Sequence, residues 1–181
     1  APNKVLVVAA VQPTATGKAL LTRLDVVPNW KKLTIARWAT KALATNTHVV
    51  SDGLATFAAV KDAGFTHEPI IVNGTGKSAG QHPRFLAVNT TLGNLKTWMA
   101  STFKGFKLSH YTQRYLAEFQ YRFNRRFDLQ AILTSLLADA VGKGRRPLLL
   151  PWLSGAALVG TAAIALVWLA GDRGHDRIVL G

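Results

Sequence analysis

The stretch "HVVSDGLATFAAVKDAGFTH", residues 48–67, decides how the chain is interpreted. A β-branched run ends at Ser51-Asp52-Gly53, and a helical apolar pattern follows and stops at Gly64. A short strand leading into a helix is typical of an α/β sheet, and Gly64 is suited to end the helix. Asp52 then lies at the carboxyl end of a strand, where such sheets bind ligands. Capping of the helix by Asp52 is the commoner use of this residue type, so both interpretations stay open.

The same alternation of elements extends on both sides of this stretch. We predict strands at Val5–Val11, Ala19–Val27, Thr47–Ser51 and His67–Val72, with helices at Trp30–Leu43 and Leu54–Ala63 between them. After a glycine-rich loop at residues 73–86, the pattern predicts helices near Val88–Thr102, Leu108–Asn124 and Asp128–Val141. This order favours one α/β domain over residues 1–142.

Residues 143–181 differ in composition, and we predict a basic linker followed by an apolar tail. No residue from Pro147 to Gly171 is charged, and Trp152 and Trp168 lie near the two ends of this segment. It is therefore long enough for a single transmembrane helix with interfacial indoles. The alternative is a hydrophobic helix that packs on the domain or on a partner.

The charge balance narrows the class of partner. Lys and Arg number 22 against 9 acidic residues, for a net charge of +13, and there is no cysteine. Thiolate zinc sites, disulfides and cysteine nucleophiles are excluded. An excess of this size favours binding to nucleic acid or to an anionic membrane.

Basic residues outside the first stretch are candidates for contact with phosphates. The glycine-rich loop contains Lys77 and Arg84, but its glycines do not have the P-loop spacing. The segment from residue 104 onward adds a denser group, formed by Lys104, Lys107, Arg122, Arg125 and Arg126. A solvated helix face is the plain interpretation of this group, and a track for DNA phosphates is the functional one.

Four segments in this order carry a family resemblance: "VLVVAAV", the stretch 48–67, "LGNLKTW" and "YLAEFQYRFNRRFDL". Together they resemble the ISXO-like family of insertion-sequence transposases over about residues 3–141. The resemblance implies a ribonuclease-H-like, retroviral-integrase-type mixed sheet flanked by helices. It also implies cleavage and joining of DNA at terminal repeats by a triad of metal-binding side chains.

The resemblance assigns roles to individual residues. Asp52 matches the second catalytic aspartate, Asn94 matches a third position that this subgroup fills with asparagine, and Lys96 is the associated lysine. Asp52 and Asn94 would then ligate Mg²⁺ or Mn²⁺, and the basic residues would bind DNA without reading its sequence.

The chain also departs from the family. The family's first aspartate lies on a strand upstream of Val5, so we expect a domain truncated at its first strand and inactive alone. Further expectations are a homodimer and a bacterial cytoplasmic, nucleoid-associated location. The alternative is a basic nucleic-acid-binding protein without catalysis, either soluble or anchored to a membrane through residues 147–171.

Overall fold

Strands and helices alternate along the first half of the chain and helices follow, as the sequence predicts. The computed structural model describes residues 4–71, 82–102, 108–128, 130, 132–134, 137, 161–170 and 177–180. The strands are β1 (Lys4–Pro13), β2 (Ala19–Val26), β3 (His48–Ser51), β4 (Thr66–Pro69), β5 (Thr161–Ala170) and β6 (Arg177–Leu180). The helices are α1 (Lys32–Ala42), α2 (Ala59–Asp62), α3 (Leu86–Thr102) and α4 (Leu108–Asn124), with 3-10 turns at Ala55–Ala58 and Pro83–Phe85.

The described strands form one six-stranded sheet of order β2-β1-β5-β3-β4, with β6 pairing β5. β1 is antiparallel to both β2 and β5, whereas β3 is parallel to both β5 and β4. A mixed sheet with helices on its faces confirms the α/β part of the predicted fold. The predicted helix at Leu54–Ala63 forms as the 3-10 turn followed by α2, and Gly64 ends it at a φ of 85°.

The prediction of a C-terminal hydrophobic helix is wrong, because Thr161–Ala170 is strand β5. Its backbone pairs with β1 from Ala163 to Ala170 and with β3 from Thr161 to Ile164. A strand in the interior of a sheet is commonly covered on both faces, so most of its residues are apolar. Its sequence is then a continuous apolar run that cannot be distinguished from a buried helix by periodicity. The other residues of the segment 147–171 lie outside the described part of the chain. Within the described part, no helix has the length and apolar character needed to cross a membrane.

Two apolar clusters lie on opposite faces of β1, because successive side chains of a strand alternate between faces. Val7, Ala9 and Val11 pack with residues of α3 and α4. Val8 and Ala10 pack with residues of α1, the 3-10 turn at Ala55–Ala58 and α2. The sheet therefore separates α3 and α4 from α1 and α2.

Side chains of α4 cover the free edge of β2. The outward backbone N–H groups of Thr22, Leu24 and Val26 each donate to a side-chain oxygen of this helix. The acceptors are Asn124 Oδ1 at 2.8 Å, Gln120 Oε1 at 2.8 Å and Gln113 Oε1 at 3.0 Å, respectively. Asn124 also donates from Nδ2 to the Thr22 carbonyl oxygen at 2.9 Å. An exposed strand edge invites pairing with another chain, and this arrangement closes it.

Candidate active site and basic surfaces

Asp52 lies one residue beyond β3, at its carboxyl end, as the sequence predicts. The side chain of His48 on β3 points toward the start of α3. Its Nε2 lies 2.9 Å from Glu68 Oε2, and Glu68 accepts a hydrogen bond from Arg84 in the turn before α3. Side chains two residues apart on a strand share a face. His48 and Val50 therefore share one face of β3, and Asp52 follows directly after the strand ends.

The Asp52 carboxylate closes a turn but does not cap the following helix. Its Oδ1 accepts the Leu54 N–H at 3.4 Å, two residues ahead, as in an Asx turn. The N-cap of the 3-10 turn is Leu54, which has no side-chain capping bond. The Asp52 side chain thus closes the turn through backbone hydrogen bonds from Leu54 and from its own N–H and does not act as the predicted N-cap.

Burial raises the pKa of Asp52, and backbone hydrogen bonds from Leu54 and from Asp52 itself offset this only in part. No basic side chain among the described residues contributes to the shift, although the chain carries a net charge of +13. A half-buried carboxylate whose pKa no described basic side chain lowers is costly in a purely structural role. It is an arrangement that a bound cation would stabilise.

Gly53 and Ser51 hold the backbone on either side of Asp52. Gly53 has a φ of 84°, a conformation that other residues adopt at a cost, and a Cβ added there would lie 2.9 Å from Ile71 Cγ1. Ser51 is fully buried, and its Oγ lies 2.9 Å from His67 Nε2 and accepts the Gly53 N–H at 3.4 Å. Burial and the nearby charge of Lys61 lower the pKa of His67. The Ser51–His67 contact therefore ties the turn to β4.

Asn94 and Lys96 are both exposed on α3, away from its buried face. The buried positions of that helix include Leu92, Leu95 and Met99. At about 100° per residue, Asn94 and Lys96 lie roughly 200° apart and so flank the buried face on opposite sides. Their side chains therefore leave α3 in different directions.

β5, one of the two strands beside β3, offers no second carboxylate. The pairing of the two strands ends with Ser51 opposite Ile164, and β5 has no Asp or Glu in "TAAIALVWLA". Farther along β5, β6 pairs with Val167 to Ala170. β1 pairs with one edge of β5, so β3 and β6 both pair with the opposite edge. Asp52 follows the end of β3, between the paired segments of β3 and β6. Over the described ranges, no group of three or more His, Cys, Asp or Glu residues could hold a metal ion.

The predicted basic residues occupy different environments on α4 and beside α3. Arg122 is exposed and pairs with Glu118 at 3.6 Å, while Arg125 lies over the Tyr121 ring at 4.1 Å. Arg84 binds Glu68 at 3.1 Å and remains about half exposed. These three guanidinium groups are accessible enough to meet an anion. Lys77, Lys104 and Lys107 lie outside the described residues.

Arg126 has a structural role that the sequence did not predict. Its guanidinium donates to the carbonyl oxygens of Phe123 at 2.7 Å, Leu20 at 3.1 Å and Ala19. It also lies over the rings of Phe123 and Phe127, and burial lowers its pKa. Arg126 therefore fastens the end of α4 to the start of β2, and a role in DNA binding would have to use its remaining N–H groups.

A second group of basic residues, on α1, was not predicted from the sequence. The solvent face of α1 carries Lys32, Arg37 and Lys41, with Lys31 at the N-cap, and all four are exposed. The sequence of α1 contains basic residues outside its apolar face and no acidic residue, a pattern that indicates a basic helix surface.

A comparison with protein-family models matches residues 1–124 to the ISXO2-like transposase domain. No curated protein matches the chain. The matched segment contains β1 to β4 and α1 to α4, and it includes Asp52, Asn94 and Lys96. It ends at Asn124, the residue that clamps the edge of β2. Because this segment covers most of the 181 residues, the chain belongs to the ISXO2-like transposase family, whose domain acts in DNA transposition.

Proposed function

We propose that Asp52 is a catalytic carboxylate for phosphodiester cleavage and strand transfer, with Asn94 and Lys96 as further residues of the centre. The environment of Asp52 carries this proposal. Its carboxylate is half-buried at the end of β3, has a raised pKa, and has no basic neighbour contributing to that shift among the described residues. Structural acids of a basic protein are ordinarily paired with a cation, as Asp25 is with Arg23 at 2.6 Å.

The sheet order supports a ribonuclease-H-like arrangement as part of this proposal. β1 has β2 on one edge and β5 on the other, and β5 is antiparallel to β1. A strand joined to the amino end of β1 by a hairpin would also be antiparallel to β1 and would need the same edge. We infer that β5 holds the position of the fold's first strand, beside Asp52.

The described residues fit a divalent cation incompletely. Mg²⁺ and Mn²⁺ prefer carboxylate oxygens, and two such ions need several of them. Here Asp52 is the carboxylate and Asn94 offers a neutral amide oxygen, while β5 adds no acid. We therefore propose that this chain does not cleave DNA on its own.

DNA is the partner that the family and the charge both support. Arg84, Arg122 and Arg125 would bind backbone phosphates, with Arg126 and the predicted Lys77, Lys104 and Lys107 as further contacts. Terminal-repeat specificity, a homodimer and a nucleoid-associated location in the bacterial cytoplasm belong to the same proposal. Binding of this kind does not depend on a complete catalytic centre.

The experiment compares the chain with its Asp52→Asn variant on terminal-repeat DNA, with Mg²⁺, Mn²⁺ or EDTA. In EDTA we expect both proteins to bind DNA with equal affinity, and we expect neither to cleave DNA with either ion. Cleavage by the unmodified chain that the variant lacks would overturn the proposed inactivity while supporting the role of Asp52. Absence of binding at low salt would overturn the proposed DNA-binding function.

The absence of a second carboxylate on β5 favours one other function, that of a nucleic-acid-binding protein without catalysis. The effect of Mn²⁺ on DNA affinity distinguishes the catalytic function from the non-catalytic one. A centre built on Asp52 predicts that Mn²⁺ tightens binding by the chain more than by the Asp52→Asn variant, whereas a non-catalytic binder responds equally to the ion in both forms.

A further inference from the structure

Ser51, the residue before Asp52, is fastened to β4 through both its backbone and its side chain. Its carbonyl oxygen accepts the Ile70 N–H at 2.8 Å, and its Oγ lies 2.9 Å from His67 Nε2. His67 is opposite Val49 in the register of β3 and β4, and Val49 and Ser51 share one face of β3. The contact therefore lies on the face that packs on α1 and α2. Because Ser51 is fully buried there, it can influence a reaction only through its neighbours.

The Ser51 hydroxyl also closes the turn around Asp52. Its Oγ accepts the Gly53 N–H at 3.4 Å, two residues ahead, as serine side chains do in turns. The ring closed by this hydrogen bond contains the whole backbone of Asp52. Asp52 Oδ1 in turn accepts the Leu54 N–H at 3.4 Å. The direction of the Asp52 carboxylate therefore depends on where the Ser51 hydroxyl is held.

The single proton of the Ser51 hydroxyl determines which way the contact with His67 runs. Within the described part of the chain, Oγ meets the Gly53 N–H, which can only donate, and His67 Nε2. If Nε2 carried a proton, Oγ would accept two hydrogen bonds, and its own proton would be buried without an acceptor. If Nε2 is unprotonated, the hydroxyl donates to it and all three groups are paired.

The surroundings of His67 favour the same neutral form of the ring. Burial, the charge of Lys61 on α2 and the neighbouring His48 on β3 all lower the pKa of His67. The ring is only partly buried, so water can accept from Nδ1–H. Geometry and charge therefore agree on a neutral imidazole at pH 7 with its proton on Nδ1.

We propose that His67 is a positioning residue for the Asp52 carboxylate, because its unprotonated Nε2 accepts the Ser51 hydroxyl that holds the turn around Asp52. The proposal rests on the proposed catalytic role of Asp52. A side chain that ligates a metal ion needs polar partners behind it to fix its orientation, and loss of such a partner commonly weakens metal affinity tenfold or more. His67 provides this support from the neighbouring strand and acts through Ser51.

The first measurement is a ¹⁵N spectrum of the histidine rings of the full chain at pH 7. We expect His67 to be the neutral tautomer that carries its proton on Nδ1. An imidazolium, or the tautomer with the proton on Nε2, would overturn the proposal, because Nε2 could not then accept the Ser51 hydroxyl.

The second measurement is the ratio of the DNA Kd in EDTA to the DNA Kd in Mn²⁺, so that each protein is its own reference. The excess of this ratio over that of Asp52→Asn should be lost in His67→Met, which has no nitrogen acceptor. His67→Gln offers an amide oxygen close to the position of Nε2 and should restore the excess. The matched control is His48→Met on the adjacent strand. His48 contacts Thr66 and Glu68 instead of Ser51, so this variant should keep the full excess.

The outcomes separate this proposal from the proposed function. A full Mn²⁺ response in His67→Met, with none in Asp52→Asn, would overturn the positioning role alone. Equal responses in the unmodified chain and in Asp52→Asn would overturn the catalytic role of Asp52 and this proposal with it. Loss of the response in His67→Gln or in His48→Met as well would also overturn the proposal, since the acceptor at Nε2 would not be what matters. Circular dichroism of each variant verifies that the domain still folds.

Discussion

The hydrogen bonds between α4 and the edge of β2 make a sharp prediction, because two of them use the same residue type in different surroundings. Gln120 Oε1 accepts the Leu24 N–H at 2.8 Å, and both residues are almost inaccessible to solvent, at 3% and 1% exposure. Gln113 Oε1 accepts the Val26 N–H at 3.0 Å in a solvent-exposed setting. Replacement of each glutamine by methionine removes the acceptor and keeps the length and helix propensity of the side chain.

The expected decreases in stability differ because water can replace only one of the two acceptors. In Gln120→Met the Leu24 N–H stays buried without a partner, which costs about 1–3 kcal/mol. At about 2 kcal/mol, the Tm of a chain of this size should fall by roughly 4–8 °C. In Gln113→Met a water molecule binds the exposed N–H, and the decrease should stay below about 0.5 kcal/mol.

Urea unfolding followed by circular dichroism measures both variants against the unmodified chain. A double variant should show the sum of the two effects, since the sites bind different groups of β2. If Gln113→Met lowers the free energy of unfolding as much as Gln120→Met does, burial is not what makes the hydrogen bond important, and the reasoning fails. It fails equally if Gln120→Met is neutral, because the edge of β2 would then be satisfied in another way.

Three further predictions concern the site and the sheet. Because the pKa of Asp52 is raised in the folded state, ionisation of this carboxyl destabilises the native state as pH rises through that pKa. The variant Asp52→Asn should therefore have a higher Tm than the unmodified chain at pH 7, and the two Tm values should agree below the unfolded pKa of 3.8. Gly53→Ala should cost about 1–2 kcal/mol from its positive φ in urea unfolding, with little added by Ile71, whose exposed side chain can move; a neutral result would contradict the assigned turn. Removal of residues 143–181 deletes the strand between β1 and β3, so dye binding to exposed apolar surface should rise and cooperative unfolding should weaken; an unchanged melting curve would show that β5 is dispensable.

Local patterns predicted several elements correctly. The apolar run at Val5–Val11 and the β-branched run ending at Ser51 both form strands, and Gly64 ends a helical segment as predicted. The position of Asp52 after β3 followed from the same reasoning. These features depend on neighbours in sequence, which is why the sequence was sufficient.

Features that depend on the order of strands in the sheet could not be predicted from the sequence. The segment Thr161–Ala170 has no periodicity that distinguishes a helix from a central strand, so its length and lack of charge suggested a helix. The roles of Gln113, Gln120 and Asn124 also depend on β2 being an edge strand. Their spacing of seven and four residues places them on one face of α4, but only the sheet order explains why that face is polar.

The edge of β2 also changes how the block "YLAEFQYRFNRR" is understood. Gln120, Asn124 and Arg126 bind the backbone of β2, so these residues of the block stabilise the sheet. Arg122 and Arg125 are the members of the same block that remain accessible to an anion. A substitution at Gln120 or Asn124 that lowers DNA binding should therefore lower stability with it, whereas Arg122→Gln should lower DNA affinity at unchanged Tm. This difference separates the structural residues of the block from those that bind DNA.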